Sequence, residues 1–198
     1  MAMATESEML RVGYIVGSLS SKSINRLLAK ALIKVAPPNV EFREIEFRDL
    51  PLYSPDYDGN YPDAAKKLKQ SIAAVHAVLF VTPEYNRSIP GGLKNAIDWA
   101  SRPYGENAFH RKPSAIIGAS TGPIGTALAQ QSLRGVLSYC NSPQMNAIEA
   151  YIRFTPGMVS EDGDVEDERA REFLRKFITE FAGFIRRVCV ALSVDEEP

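Results

Sequence analysis

The sequence predicts an α/β fold in which a five-stranded parallel sheet is covered by helices on both faces, and three observations carry that prediction. Short apolar runs rich in β-branched residues alternate along the chain with segments whose apolar residues recur at helical spacing. Ala77–Val81 is apolar without interruption, the pattern of a parallel strand buried on both sides. Long polar loops follow the first, third and fourth runs, which places them together at the carboxyl edge of the sheet.

Leu10–Val16 is the first strand, with Val12, Tyr14, Ile15 and Val16 as its apolar content. Ile24, Leu27, Leu28, Ala31, Leu32 and Val35 form one stripe of the first helix, which Ala36-Pro37-Pro38-Asn39 stops. Val40, Phe42, Ile45 and Phe47 mark a second strand whose alternation slips between Phe42 and Ile45, as at a bulge or a loosely sided edge strand. Pro62 opens a second helix with Ala65, Leu68, Ile72 and Val75 inward. The third strand, Ala77–Val81, precedes a helix carrying Leu93, Ala96, Ile97 and Ala100, with Trp99 offset from the stripe. A polar excursion over 101–112 leads to the fourth strand, Ser114–Ala119, and then to a helix through Leu128, Leu133, Val136, Leu137 and Cys140. The region 144–152 is a fifth strand with a weaker pattern. Ser160–Asp164 lacks the spacing of a calcium loop and reads as a solvated helix entry. The phenylalanine-rich stripe from Ala170 to Val188 is a long last helix that belongs to the core. With the strand order 2-1-3-4-5, the first and third strands flank the switch point, so their loops face each other across a crevice.

A length of 198 residues fits one domain, 1–198, with disordered tails expected at 1–8 and 194–198. A net charge of -1 supplies no general attraction to nucleic acid or anionic lipid. The N-terminal residues lack the basic start and apolar middle of a signal peptide, and no apolar run is long enough to span a bilayer, so a cytoplasmic location is expected. Two cysteines without metal-like spacing fit a reducing compartment, and two separated histidines are too few for a zinc site.

The first loop, 17–25, concentrates chemistry at a strand-to-helix turn. Ser18, Ser20, Ser21 and Ser23 offer hydroxyls, Asn25 an amide and Lys22 a charge beside the free N–H groups of a helix start, a setting that suits a phosphate. Helix capping alone is an equal alternative for a serine cluster taken by itself. The P-loop and the three-glycine dinucleotide loop are both absent, and Cys140 and Cys189 fall in expected helices, away from any cysteine-phosphatase loop. The convergence of three loops favours a ligand.

Gly17–Asn25, Asp49–Leu52, the long run Thr82–Trp99 and Gly118–Gly122 together resemble the NADPH-dependent FMN reductase family, in particular its chromate and quinone reductase branch. The resemblance extends from the first strand to the last helix, and its middle motif is the most specific. It implies a flavodoxin-like three-layer α/β/α sandwich holding FMN, with NADPH or NADH as electron donor and a small-molecule electron acceptor. The FMN phosphate would sit against Ser18, Ser20, Ser23, Ile24 and Asn25. The flavin ring would lie on Pro83, Glu84, Tyr85, Asn86 and Arg87, with Ser120, Thr121 and Gly122 on the other side. Family members often carry arginine where Ser20 stands and a small or aromatic residue where Arg87 stands. Taken singly, Glu84 reads as a surface carboxylate bonding local amides, Tyr85 as a packed ring and Asn86 as a turn former. No side chain is assigned as general acid or base, because the flavin supplies the redox chemistry.

The resulting expectation is an NAD(P)H-dependent reductase of quinones or other small oxidants, chromate, ferric complexes and free flavin included, working by a ping-pong cycle. A flavodoxin-like electron carrier or flavin-binding regulator without turnover is the alternative, disfavoured by the near-neutral charge, and an FMN-free scaffold is a third. The family implies a homodimer or homotetramer. Asn95, Asp98, Trp99 and the segment 102–111 are candidates for that interface, with Trp99 alternatively in the core.

Overall fold

The computed structural model describes residues 9–194. Their elements, in chain order, are β1 (Leu10–Val16), α1 (Ile24–Lys34), β2 (Val40–Glu44), α2 (Asp63–Ala73), β3 (Ala77–Val81), α3 (Gly91–Ala100), β4 (Ser114–Ser120), α4 (Ala127–Tyr139), β5 (Tyr151–Arg153) and α5 (Glu168–Val194). All strand pairs are parallel and the order is β2-β1-β3-β4-β5, the flavodoxin-like arrangement.

The sheet divides its side chains by parity, as a pleated strand must. Val12, Val16, Leu79, Val81, Ile117 and Ala119 face α1 and α5, joining Leu28, Leu32, Leu174, Phe177 and Phe181 in one apolar layer. Ile15, Val78, Phe80 and Ile116 face α2, α3 and α4, packing with Leu68, Ile72, Leu93, Ile97, Leu133 and Leu137. The central strands therefore present apolar residues on both sides.

The edges depart from the sequence pattern. β2 ends at Glu44, and Ile45, whose N–H still donates to the Tyr14 carbonyl at 2.9 Å, lies beyond it. Phe42 packs on the α1/α5 side while Ile45 and Phe47 pack on the opposite side. The apparent slip is thus one edge strand feeding two cores by regular alternation, not a bulge. β5 has only three residues, and the expected start of the strand at Gln144 is an isolated bridge to Ser114. Leu128 is exposed on α4, where Ala129 and Gln130 occupy the buried face instead.

Val75 is buried past the end of α2. Ser160–Asp164 folds as a turn against α1, with Lys34 paired to Asp164 at 2.6 Å, and α5 begins later, at Glu168. Of the expected tails, 1–8 and 195–198 lie outside the described residues, and Val194 closes α5.

Trp99 belongs to the core. Its ring is fully buried among Tyr53, Tyr57 and Tyr61, with the Tyr53 and Tyr61 rings edge-on at 5.1 and 5.0 Å. The indole Nε1 donates to the Pro51 carbonyl at 2.7 Å, and Asn95 Nδ2 donates to the same oxygen at 2.8 Å. α3 thus pins the segment after β2 through Asn95 and Trp99, and of the two it is Trp99 that lies wholly in the core.

Candidate functional site

The loops after β1, β3 and β4 meet at the carboxyl edge of the sheet, where strand order reverses. Gly17 lets the first two loops approach: a Cβ there would lie 2.9 Å from Thr82 Oγ1. Ser18 is buried, accepts the Ser20 N–H at 3.3 Å and lies 3.4 Å from the Tyr85 hydroxyl, which joins the first loop to the second. Ser20 is exposed, and its Oγ accepts the Lys22 N–H at 3.2 Å.

Ser23 has extended backbone and caps α1, its Oγ accepting the Arg26 N–H at 3.4 Å. Ile24 and Asn25 are the first two helical residues, whose N–H groups precede the first intrahelical bond. No acidic residue stands in this first turn. Hydroxyls, free amides and the positive end of an 11-residue helix make an anion site.

Asn25 also acts through its side chain, but not toward a ligand. The amide is buried; Nδ2 donates to the Ala119 carbonyl at 2.9 Å, and Oδ1 accepts the Ala119 N–H at 2.8 Å. This reciprocal pair spans 94 residues and ties the start of α1 to the end of β4. What Asn25 offers a phosphate is its main-chain N–H. Arg48, which carried no local signal in the sequence, donates from Nη2 to the Leu19 carbonyl at 2.7 Å and brings a guanidinium to the first loop. With Ser18, Leu19 and Arg26 it borders a cavity of about 330 Å³.

In the second loop, Pro83 is buried, and Tyr85 and Ser88 exchange two main-chain hydrogen bonds of 3.0 Å around Asn86 and Arg87. Both central residues are left-handed, with φ 51° and 64°, so the turn is of type I′. Glu84 is not the surface carboxylate that a local reading allows. Its side chain is 7% exposed, Oε2 accepts the N–H groups of Leu128 and Ala129 at 3.0 and 3.1 Å, and Oε1 accepts from Arg87 at 3.1 Å. The start of α4, to which Thr126 gives no side-chain cap, is therefore capped from 44 residues away.

The third loop begins as β4 ends. Ser120 Oγ accepts the Gly122 N–H at 3.2 Å, while Thr121 is exposed. Gly118, just before it, is enforced by packing: a Cβ would collide with the Thr82 carbonyl oxygen and the Thr126 hydroxyl. Glu84, Asn86, Arg87, Ser120, Gly122, Pro123, Ile124 and Gly125 enclose a cleft of about 510 Å³ between the second and third loops. Pro123, Ile124 and Gly125 were not singled out in the sequence. Gly125 has φ 63° and a Cβ there would stand 2.8 Å from the Tyr151 carbonyl carbon, so its role rests on a contact with β5.

Beside the first loop, Arg26 and Glu44 form a two-pronged pair at 2.9 and 2.8 Å, joined by the Tyr14 hydroxyl at 3.2 Å. The hydrogen bond from Arg26 holds the Glu44 carboxyl below its ordinary range. Burial, reinforced by the charge on Glu44, pushes the Tyr14 phenol up to about 12. These groups brace the loop from below.

A family model described as NADPH-dependent FMN reductase matches residues 10–156. The chain belongs to the NADPH-dependent FMN reductase family. A 2-hydroxy-1,4-benzoquinone reductase from a Burkholderia species is 46% identical over 177 residues, 89% of this chain and 97% of that protein. A quinone reductase from Pseudomonas putida is 41% identical, over 91% of this chain and 97% of its own. The solved structure of FerB, a flavoenzyme NAD(P)H:(acceptor) oxidoreductase from Paracoccus denitrificans, superposes with a TM-score of 0.87 at 43% identity, covering 90% of this chain and 98% of that one. The donor set suits the cofactor of the FMN reductase family: an acid-free helix start ringed by serine hydroxyls matches a phosphate, and the adjoining cleft falls in the size range of cofactor pockets.

Proposed function

We propose that the protein is an NAD(P)H-dependent, FMN-containing reductase of quinones and other small oxidants, chromate, ferric complexes and free flavin among them. The observation that carries the reading is the acid-free α1 start, tied by the hydrogen bonds of Ser18 with Tyr85 and of Asn25 with Ala119 to the second and third loops that border the cleft. Ser18, Ser20, Ser23 and the main-chain N–H groups of Ile24 and Asn25 would hold the phosphate. Pro83 to Arg87 and Ser120 to Gly122 would hold the ring.

When bound, FMN would supply hydride acceptance from the nicotinamide and electron delivery to the acceptor, two electrons at once for a quinone and one at a time for a ferric complex. The protein's residues bind, orient and exclude water. Tyr85 and Ser18 keep the phosphate and ring subsites together. Glu84 fixes the distance between the two loops that flank the ring by anchoring to α4. Asn25 holds α1 to β4, so the phosphate amides and the third loop move as one body. Overall, NAD(P)H, one proton and one quinone give NAD(P)+ and one hydroquinone: the hydride carries two electrons and one proton, and the second proton comes from the solvent.

The test is anaerobic. The FMN-loaded protein is mixed with NADH or NADPH while flavin absorbance is followed, and a quinone is then added. Bleaching followed by recovery on quinone addition supports the reading, with parallel double-reciprocal lines in steady state. Retained flavin that neither nicotinamide reduces returns the carrier alternative.

The same reading treats 1–198 as one flavodoxin-like domain working in the cytoplasm on a small molecule, without nucleic acid or membrane. Cys140 and Cys189 are buried and not joined in a disulfide, which suits a reducing compartment. Among the described residues no helix is long and apolar enough to cross a membrane. A homodimer or homotetramer is proposed through the outward face of α4, where Leu128, Ser132, Gly135 and Tyr139 form an uncharged exposed stripe. Tyr139, 77% exposed, lies one turn from Gly135 on this face, so one patch offers both a projecting ring and an open position for it on a second copy. Light scattering at micromolar concentration tests this, and a monomer removes it.

A further inference from the structure

We propose that Arg87 selects acceptors that are anions, specifically quinones bearing an ionised ring hydroxyl, at the mouth of the cleft between the second and third loops. The proposal rests on the reductase reading above. It concerns which acceptors that cleft prefers.

The backbone supplies the first observation. Arg87 occupies the second central position of a type I′ turn, at φ 64°, where glycine is the favoured residue because it has no Cβ. A long cation in this position is unfavourable for the turn alone. The turn is closed on both sides by the Tyr85 and Ser88 main-chain bonds, and the side chain it presents lines the cleft.

Charge supplies the second. The residues lining the cleft include two ionisable ones, Glu84 and Arg87. The Glu84 carboxylate is already engaged by the Leu128 and Ala129 N–H groups at the positive end of α4. Its remaining oxygen takes one guanidinium nitrogen of Arg87, at 3.1 Å. A guanidinium has five N–H donors in a planar fork. Arg87 therefore keeps most of its donors, on a side chain that is 64% exposed. The formal charges of the lining cancel, but the carboxylate is buried against α4 while the guanidinium is exposed, so the cleft mouth presents the cation and its free donors.

The matching ligand follows from that chemistry. A ring hydroxyl beside a quinone carbonyl is a vinylogous acid, ionised at neutral pH. Its olate and the adjacent carbonyl oxygen form a planar two-oxygen edge, which a guanidinium can engage with two parallel hydrogen bonds and an ammonium cannot. A neutral quinone of the same shape offers no such charge.

The test compares 2-hydroxy-1,4-benzoquinone with its neutral O-methyl ether, using FMN-loaded wild-type, Arg87→Gly and Arg87→Lys proteins, each with saturating NADH and with saturating NADPH. Arg87→Gly is the informative variant, because glycine suits the left-handed position and the turn survives the loss of the cation. The expected result is a fall of about fivefold in the ratio of kcat/KM for the anion to that for the ether. The change appears in KM for the anion, with Arg87→Lys intermediate. The wild-type ratio also declines as ionic strength rises from about 0.02 to about 0.5 M, while that of Arg87→Gly stays flat. Equilibrium dialysis of the hydroxyquinone against the oxidised, FMN-loaded protein shows the same weakening in Arg87→Gly. A ratio unchanged in Arg87→Gly, with both quinones reduced, overturns the inference alone. Failure of the wild type to reduce either quinone removes the reductase reading, and the inference with it.

Discussion

Replacing Glu84 with alanine tests the account of the site most directly, because one carboxylate spans two loops. In the folded protein it accepts the Leu128 and Ala129 N–H groups and pairs with Arg87, and its side chain is 7% exposed. Alanine removes the cap of α4, worth about 1 kcal/mol. It also removes a charge from a largely buried helix start, worth up to about 2 kcal/mol. The exposed Arg87 contributes little, since solvent screens its side of the pair. The expected destabilisation is about 2 to 3 kcal/mol, or roughly 5 to 10 °C in Tm for a chain of this size. Urea unfolding of the apoprotein should show a lower midpoint with an unchanged slope. Glu84→Gln, which keeps an acceptor oxygen but not the charge, should recover about half of the loss. An alanine variant within about 0.5 kcal/mol of wild type would refute the trans-cap.

Further outcomes follow from the same geometry. Asn25→Ala strands the Ala119 N–H and carbonyl in a buried position, and should cost about 2 to 4 kcal/mol while weakening FMN retention in a dialysis assay. Gly118→Ala drives a methyl into the Thr82 carbonyl and the Thr126 hydroxyl, and chemical denaturation should report a loss of about 1 to 3 kcal/mol. Arg87→Gly relieves a left-handed residue and should leave apoprotein stability unchanged or raise it by up to about 1 kcal/mol, read as a shift in Tm. The Glu44 carboxyl titrates below its ordinary value of 4.5 because Arg26 hydrogen-bonds to it. Ionised Glu44 therefore stabilises the fold fully above that ordinary value, and the contribution is lost as pH falls through the lower folded value. Glu44→Gln should unfold less steeply with acid over that window, and a profile parallel to wild type would exclude this pair as a source of acid sensitivity.

The alternation of apolar runs and helical stripes determined the layers, because burial on a sheet or helix repeats over a few residues and leaves its mark in the local order of the chain. Hence the continuous Ala77–Val81 run, the α1 and α5 stripes and the hydroxyl-rich loop at 17–25 were legible without coordinates. The motif at 82–99 made the family legible as well, and the match over 10–156 agrees with it.

Partners remote in sequence leave no such mark. The same local pattern served a surface Glu84 and one that caps α4, and a phosphate-facing Asn25 and one whose side chain grips Ala119. Trp99 lay off the helical stripe, yet three tyrosines from the segment after β2 enclose it. Phe42 and Ile45 looked out of register because an edge strand was feeding both cores. In each case the residue type allowed several partners, and tertiary structure chose among them: a hydrogen bond or ring contact depends on distance in space, which a chain folded across 44 or 94 residues does not carry in its local order.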